Sequence, residues 1–374
     1  ERPPSHLAPT RFLLQTSQSS SDCSMMCRNR IMADVARYIF GRRIQVAHLE
    51  DRAFFKDVIA EALRSSSMMA TKTLIELGHE PFPLSTEKTI KGSLIYFYPN
   101  FFSYAKQLAE SHPLGWWVLT TGWVAGSIAI FVRRYTIRIG SDYINIYYDP
   151  PQHLSADERT LSFRENLKVA LFSAMRDTVL CSVGLIAARP FTVVAIRQIA
   201  QVVGGEAKYI NFIDGLRVII TEEGIRGLFA GFFPQLVAQL GMVWISGTVY
   251  FLVEQGLIKI IYWKGDPRVV GFNYAYGHTA LYRQAKASIV FFSPDVDTYL
   301  SYTLTTVSTI MACVGSGLAA SFLPNTPTFG NWWDGYKSVK GLSRGLHIST
   351  LFKRVHTGAV FVGMDKQLYA SNTH

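Results

Sequence analysis

YINFIDGLRVIITEEGIRGLFAGFFP, residues Tyr209 to Pro234, holds two elements in succession. Ile210, Ile213, Leu216, Ile219 and Ile220 recur at helical spacing, while Asp214, Arg217, Glu222 and Glu223 take the other face. That division predicts a short amphipathic helix lying along a membrane surface. Gly224 ends it, because glycine adopts the left-handed backbone at no steric cost. From Gly227 to Val253 the chain then carries no Asp, Glu, Lys or Arg. At 1.5 Å per residue, such a run crosses a hydrocarbon core about 30 Å thick.

The same order occurs three times. Asn100-Phe101-Phe102-Ser103-Tyr104, Asn211-Phe212-Ile213-Asp214-Gly215 and Asn331-Trp332-Trp333-Asp334-Gly335 lie about 110 to 120 residues apart. Each is followed by a glycine, at Gly115, Gly227 and Gly345, and then by an apolar stretch. The chain reads as a triplicated unit. Apolar residues make up 49% of it, charged residues 17%, and the mean hydropathy is +0.15, so part of the chain sits in lipid and part outside.

Leu114 to Val132 is a second charge-free run, with tryptophans at one end where an indole N–H stays near water. Thr298 to Leu323 is a third predicted span, weakened by its Gly, Ser and Thr. Leu167 to Val203 carries Arg176, Asp177, Arg189 and Arg197, with Pro190 inside; a helix there frees the carbonyl of Ile186 and kinks. Ala53 to Leu77 is the weakest span and reads equally as an amphipathic surface helix. The last repeat's second helix is reduced to Leu346 to Met364, whose Lys353, Arg354 and two histidines argue against crossing. The expectation is an all-α membrane protein, a threefold repeat of kinked helix, surface helix and helix, with an incomplete bundle of about five or six transmembrane helices. Repeat 1 covers 53–132, repeat 2 165–253 and repeat 3 298–364, within one domain over 32–364 that holds an insert at 263–297; 365–374 is a tail. Residues 1–31, Ser-rich and basic, read as a disordered leader or non-native extension, with Met32 resembling a start.

Glu223-Gly224-Ile225-Arg226-Gly227-Leu228-Phe229-Ala230-Gly231-Phe232-Phe233-Pro234 resembles the mitochondrial carrier signature E-G-x-x-G-L-F-x-G-x-x-P. Upstream, Arg189 to Arg197 partly resembles the carrier motif P-x-[DE]-x-x-[KR]-x-[KR]. Carriers close a gate with acid–base pairs supplied by all three repeats. Here the acid slot holds Thr192 and the first base slot Ala195. In repeat 1, Lys72 fits the base slot but Ser67 and Met69 stand at the proline and the acid; repeat 3 shows no proline motif. A carrier-like chain without its gate resembles the mitochondrial carrier homologue family of the outer membrane. Lys72 to Pro83, Phe102-Ser103-Tyr104-Ala105, Ser343-Arg344-Gly345 and Leu351 to Val355 add to that resemblance.

The resemblance implies an outer-membrane insertase for tail-anchored and other α-helical proteins, with links to lipid scrambling and to docking of a pro-apoptotic BH3-only protein. Its partners are then membrane lipids and those clients. A hydrophilic groove open to lipid lowers the cost of drawing a polar tail across the bilayer. The groove residues are Lys72, Arg176, Asp177, Arg189, Arg197 and Gln239; Pro190, Asp214, Glu223, Gly224, Gly227, Gly231, Pro234 and Arg344 are structural residues of the carrier motifs. Against the groove role stand pairing or snorkelling of the charges and, for Gln239, a plain interhelical hydrogen bond of about 1 kcal/mol.

A net charge of +10 needs only membrane-surface basic segments drawn to anionic lipid. Arg42-Arg43, Arg133-Arg134 and Lys353-Arg354 read as interface anchors at span ends, and no nucleic-acid module is recognisable. Cys23, Cys27, Cys181 and Cys313 make no metal pattern, and no cofactor motif or catalytic constellation is found. The chain is therefore expected not to be an enzyme. Two alternatives keep the fold: an inner-membrane solute carrier, favoured by the well-preserved second repeat, and a non-transporting receptor or scaffold using the insert as its docking surface.

Overall fold

The computed structural model describes residues 43–88, 92–147, 163–263, 301–322, 327, 329–340, 354–356 and 358–371. The insert at 263–297, apart from its first residue, therefore lies outside the described residues, as do the 1–31 leader, Cys23, Cys27 and Arg344. The chain divides into two compact units, Glu1–Ala60 and Glu61–His374. In the first, Phe54 and Phe55 meet edge to face within a helical stretch.

The architecture is mostly helical and carrier-like. In order come α1 (Arg43–Leu77), a hairpin of β1 (Ser85–Lys88) and β2 (Leu94–Tyr98), α2 (Phe101–Ser111), α3 (Trp123–Tyr147), α4 (Phe163–Ala200), α5 (Phe212–Glu223) and α6 (Phe232–Trp263). There follow α7 over 301–313, α8 (Trp332–Lys340), β3 (Arg354–His356), β4 (Val360–Val362) and β5 (Leu368–Ala370).

The three repeated Asn residues each precede a short helix, α2, α5 and α8. Asn100 Oδ1 accepts the N–H of Ser103 at 2.7 Å, satisfying an otherwise orphaned helical donor. Asn211 instead donates to Asp214 at 3.0 Å. In repeats 1 and 2 a 3₁₀ turn follows, Gly115–Thr120 and Ile225–Phe229, and then a glycine immediately before the long helix. Gly122 has φ +77° and Gly231 φ +67°, values that a side chain rarely tolerates. Each also marks a close approach: a Cβ on Gly122 would lie 2.8 Å from the carbonyl of Ala195, and one on Gly231 would strike the carbonyl of Ser308. The start of each second helix thus leans on the first helix of the next repeat.

Among the described residues three helices are long and apolar enough to cross a membrane, Gly115–Ile144, Leu167–Ala200 and Ile225–Val249. Two are the spans expected from Leu114 and Gly227, and one is the proline-containing helix. The expectation for Thr298 to Leu323 needs correction, because α7 stops at 313. There Gly315 (φ +85°) and Gly317 (φ +72°) turn the chain. Ala53 to Leu77 is helical but not among the candidate spans, and its final turns are enclosed, with Leu74, Ile75, Glu76 and Leu77 all buried. The predicted helix over Leu346 to Met364 is also corrected. Its described part forms β3 and β4, where β-branched and aromatic residues alternate. β3 adds antiparallel to β2, pairing Phe97 with Val355 and Tyr98 with Arg354. One apolar core gathers Val193 to Ile196 of α4 with Tyr209, Ile219 of α5, and Val307, Ile310 and Cys313 of α7.

Candidate functional site

The glycine-turn end of the bundle is held by buried cations. Arg189 is 1% exposed; it donates to the carbonyl of Ala230 through Nε at 3.1 Å and through Nη2, and to that of Ser308 at 3.4 Å. Ser308 returns a bond from its hydroxyl to the Gly231 carbonyl at 2.8 Å. Arg197 is fully enclosed. Its Nη1 and Nη2 fork onto Glu223, the second bond at 2.8 Å, while Nε donates to the Ala312 carbonyl at 2.8 Å. Such planar bidentate pairing is the arrangement to which arginine is suited. Both arginines were expected in an open groove; the structure closes them into the junction of α4, α5, α6 and α7, where carbonyls left over at helix ends need donors.

Pro190 lies inside α4 as expected. The two empty gate slots are accounted for locally: Thr192 returns its hydroxyl to the Ala188 carbonyl at 3.1 Å, and Ala195 is buried in the core. Asp214 lies 3.7 Å from Arg217, Gly224 has φ +72°, and Gly227 packs against Glu223 and Ile219. Pro234 is in the first turn of α6.

Farther along the spans the remaining groove candidates are accessible. Arg176 pairs with Asp177 at 3.5 Å, their side chains 30% and 47% exposed. Gln239 of α6 accepts from Arg133 of α3 at 2.6 Å. Arg134 pairs with Glu61 at 2.7 Å, and Cys181 is within electrostatic reach of both Arg133 and Asp177. Lys72 belongs elsewhere: it is half exposed, 3.7 Å from Glu76, whose other oxygen accepts from Thr309 at 2.8 Å. α1 meets α3 at Met69 and Gly126, about 10 Å along α3 from Arg133 at 1.5 Å per residue.

Arg133 was read as an anchor ending a span, yet α3 runs on to Tyr147 and the candidate span to Ile144. Ile137, Ile139 and Ile144 beyond the Arg pair continue the apolar pattern and carried the signal. Arg354 is likewise no interface anchor. Its side chain is 1% exposed, forks onto Glu80, and donates to the Pro99 carbonyl at 2.8 and 3.1 Å. The neighbouring Tyr104 donates to the His79 carbonyl at 2.7 Å. Burial first, then the Glu80 charge, push its hydroxyl well above the usual tyrosine range, so it stays a donor.

Comparison with known proteins finds relatives over most of the chain. A family model described as mitochondrial carrier protein matches residues 178–260. The chain is 27% identical over 309 residues to mitochondrial carrier homolog 1 of Mus musculus, covering 79% of this chain and 75% of that one. It is 26% identical to mitochondrial carrier homolog 2 of Mus musculus over 305 residues and of Homo sapiens over 302, with 79% of this chain and 92% of each relative covered. The chain is similar to the mitochondrial carrier homologues over most of its length. That similarity and the three candidate spans point to a mitochondrial membrane protein, and the segment matched by the carrier model contains both buried arginines, the fork on Glu223, and Gln239.

Proposed function

We propose that this carrier homologue is a non-enzymatic insertase of the mitochondrial outer membrane, which helps tail-anchored and other α-helical proteins to enter the bilayer along a polar seam formed by Arg133, Arg176, Asp177 and Gln239. The observation that carries the reading is the Arg133–Gln239 hydrogen bond at 2.6 Å between two candidate spans. In those spans only 28% and 22% of the most apolar stretch is enclosed. Each residue lies about 15 Å or more from the nearer end of its span at 1.5 Å per residue. Polar groups at that depth, beside bare apolar faces, offer a translocating tail hydrogen bonds where lipid offers none. Lys72 is not part of this seam, and lipid scrambling along it and docking of a BH3-only protein are subsidiary activities.

The solute-carrier alternative is disfavoured by Thr192, whose hydroxyl is bonded within its own helix in place of a gate acid. The test is insertion of a tail-anchored client into vesicles containing the purified chain, scored by protease protection. Insertion no faster than into protein-free vesicles refutes the reading. Digestion of the chain in intact mitochondria with only the outer membrane exposed separates outer from inner placement.

A further inference from the structure

The charges of the seam do not cancel. Arg134 is paired with Glu61, and Arg176 with Asp177. Among the described residues Arg133 donates to the neutral amide of Gln239, with the thiol of Cys181 also within reach. Asp177 is near enough to influence Cys181, yet its carboxylate lies on the Arg176 guanidinium at 3.5 Å. Arg133 thus brings a guanidinium to the middle of a candidate span without an acid beside it among the described residues. An arginine in the middle of a span is costly, and a single neutral hydrogen bond offsets only part of that cost. The residual field is positive and is directed at whatever polar group passes between α3 and α6.

The geometry points to Arg133 as the residue that selects clients by tail charge: the seam favours a translocating tail that carries carboxylates over an otherwise identical tail that carries ammonium groups. The inference rests on the insertase reading and sharpens it. A passing carboxylate completes the missing pair and can take both guanidinium donors in a planar fork. A passing lysine meets a like charge in a medium of low dielectric, where repulsion is far stronger than in water. Gln239 holds the Arg133 side chain toward α6 and is a positioning residue. The two paired cations contribute little selectivity, since each already has its acid.

Two single-span clients, identical except for an Asp-Asp or a Lys-Lys tail, are inserted into vesicles of neutral phosphatidylcholine containing the full chain. Neutral lipid removes surface steering by anionic headgroups. The acidic-tail client is expected to insert about tenfold faster. Arg133→Gln abolishes the preference, Arg133→Lys keeps most of it, and Arg133→Glu inverts it, each compared per folded molecule. Equal insertion of both clients by the parent chain overturns the tail-charge inference and leaves the insertase reading standing; no insertion of either removes both. If Arg133→Gln slows both clients equally with their ratio intact, Arg133 is merely structural and the inference fails. It also fails if the substitution slows only the flipping of a fluorescent phospholipid in the same vesicles.

Discussion

Replacing Arg197 by Leu tests whether the buried cations hold the fold or line a passage. A groove-lining charge replaced by Leu relieves a desolvation cost, so stability holds or rises. Arg197 as a structural pin gives the opposite sign. Its side chain is fully enclosed, and its removal leaves the Ala312 carbonyl without its donor and Glu223, 19% exposed, without its counter-charge. Breaking a buried pair from one side costs about 3–5 kcal/mol, of which an unsatisfied carbonyl accounts for about 1–3 kcal/mol. Thermal unfolding of the purified chain in detergent should therefore fall on the order of 10 °C. Glu223→Leu should cost as much, because it strands the guanidinium. The double variant Arg197→Leu/Glu223→Leu should be more stable than either single one, since no unpaired charge remains. A single Arg197→Leu variant as stable as the parent, or a double variant worse than both singles, refutes the pin assignment.

Further measurements follow from the same geometry. Gly231→Ala places a Cβ at positive φ against the Ser308 carbonyl and should destabilise by at least about 1–2 kcal/mol, read as a lowered midpoint of thermal unfolding. Burial lowers the pKa of His79 to about 4, below its ordinary 6.5. The unfolded chain then protonates first as pH falls: stability is complete above about 6.5 and is lost between about 6.5 and 4, by up to about 3 kcal/mol. His79→Gln should flatten that slope. Pro190→Ala should straighten α4 and leave stability unchanged or higher while client insertion falls; unchanged insertion removes the kink from the mechanism. Proteoliposomes should show no saturable, counter-substrate-dependent exchange of nucleotides or carboxylates, because the gate slots hold Thr192 and Ala195.

What the sequence discloses is what depends on neighbours along the chain. α5 starts at Phe212, the residue after the repeated Asn211, and ends at Glu223, one residue before the glycine expected to stop it. Pro190 lies inside a single long helix, and two of the charge-free runs largely coincide with candidate spans. The small sheets escaped because β2 pairs with β3 across most of the chain, and a strand of three residues carries almost no period of its own. Glu80 and Arg354 are 274 positions apart, so nothing local marks them as a pair. Arg189 and Arg197 have the residue type and helical setting expected of a groove. Only the tertiary packing discloses that helix-end carbonyls surround them.

That packing also alters what the missing gate implies. A carrier gate must break and remake its ion pairs in every cycle, so its closing bonds have to be few and interchangeable. Here the corresponding end is closed by Arg189 on two backbone carbonyls, Arg197 on Glu223 and Ala312, and Ser308 on Gly231. These bonds are buried or partly buried, and opening the end would strand cations and carbonyls together, at several kcal/mol for each lost partner. The triplicated fold has thus exchanged a reversible latch for a fixed seal. With that end fixed, the proposed insertase would offer a polar tail its hydrogen bonds at the part-buried seam between α3 and α6, where Arg133 and Gln239 stand among largely unenclosed apolar faces. Lateral partition requires no alternating access, which is why a degenerate gate and a well-kept signature can stand in the same chain.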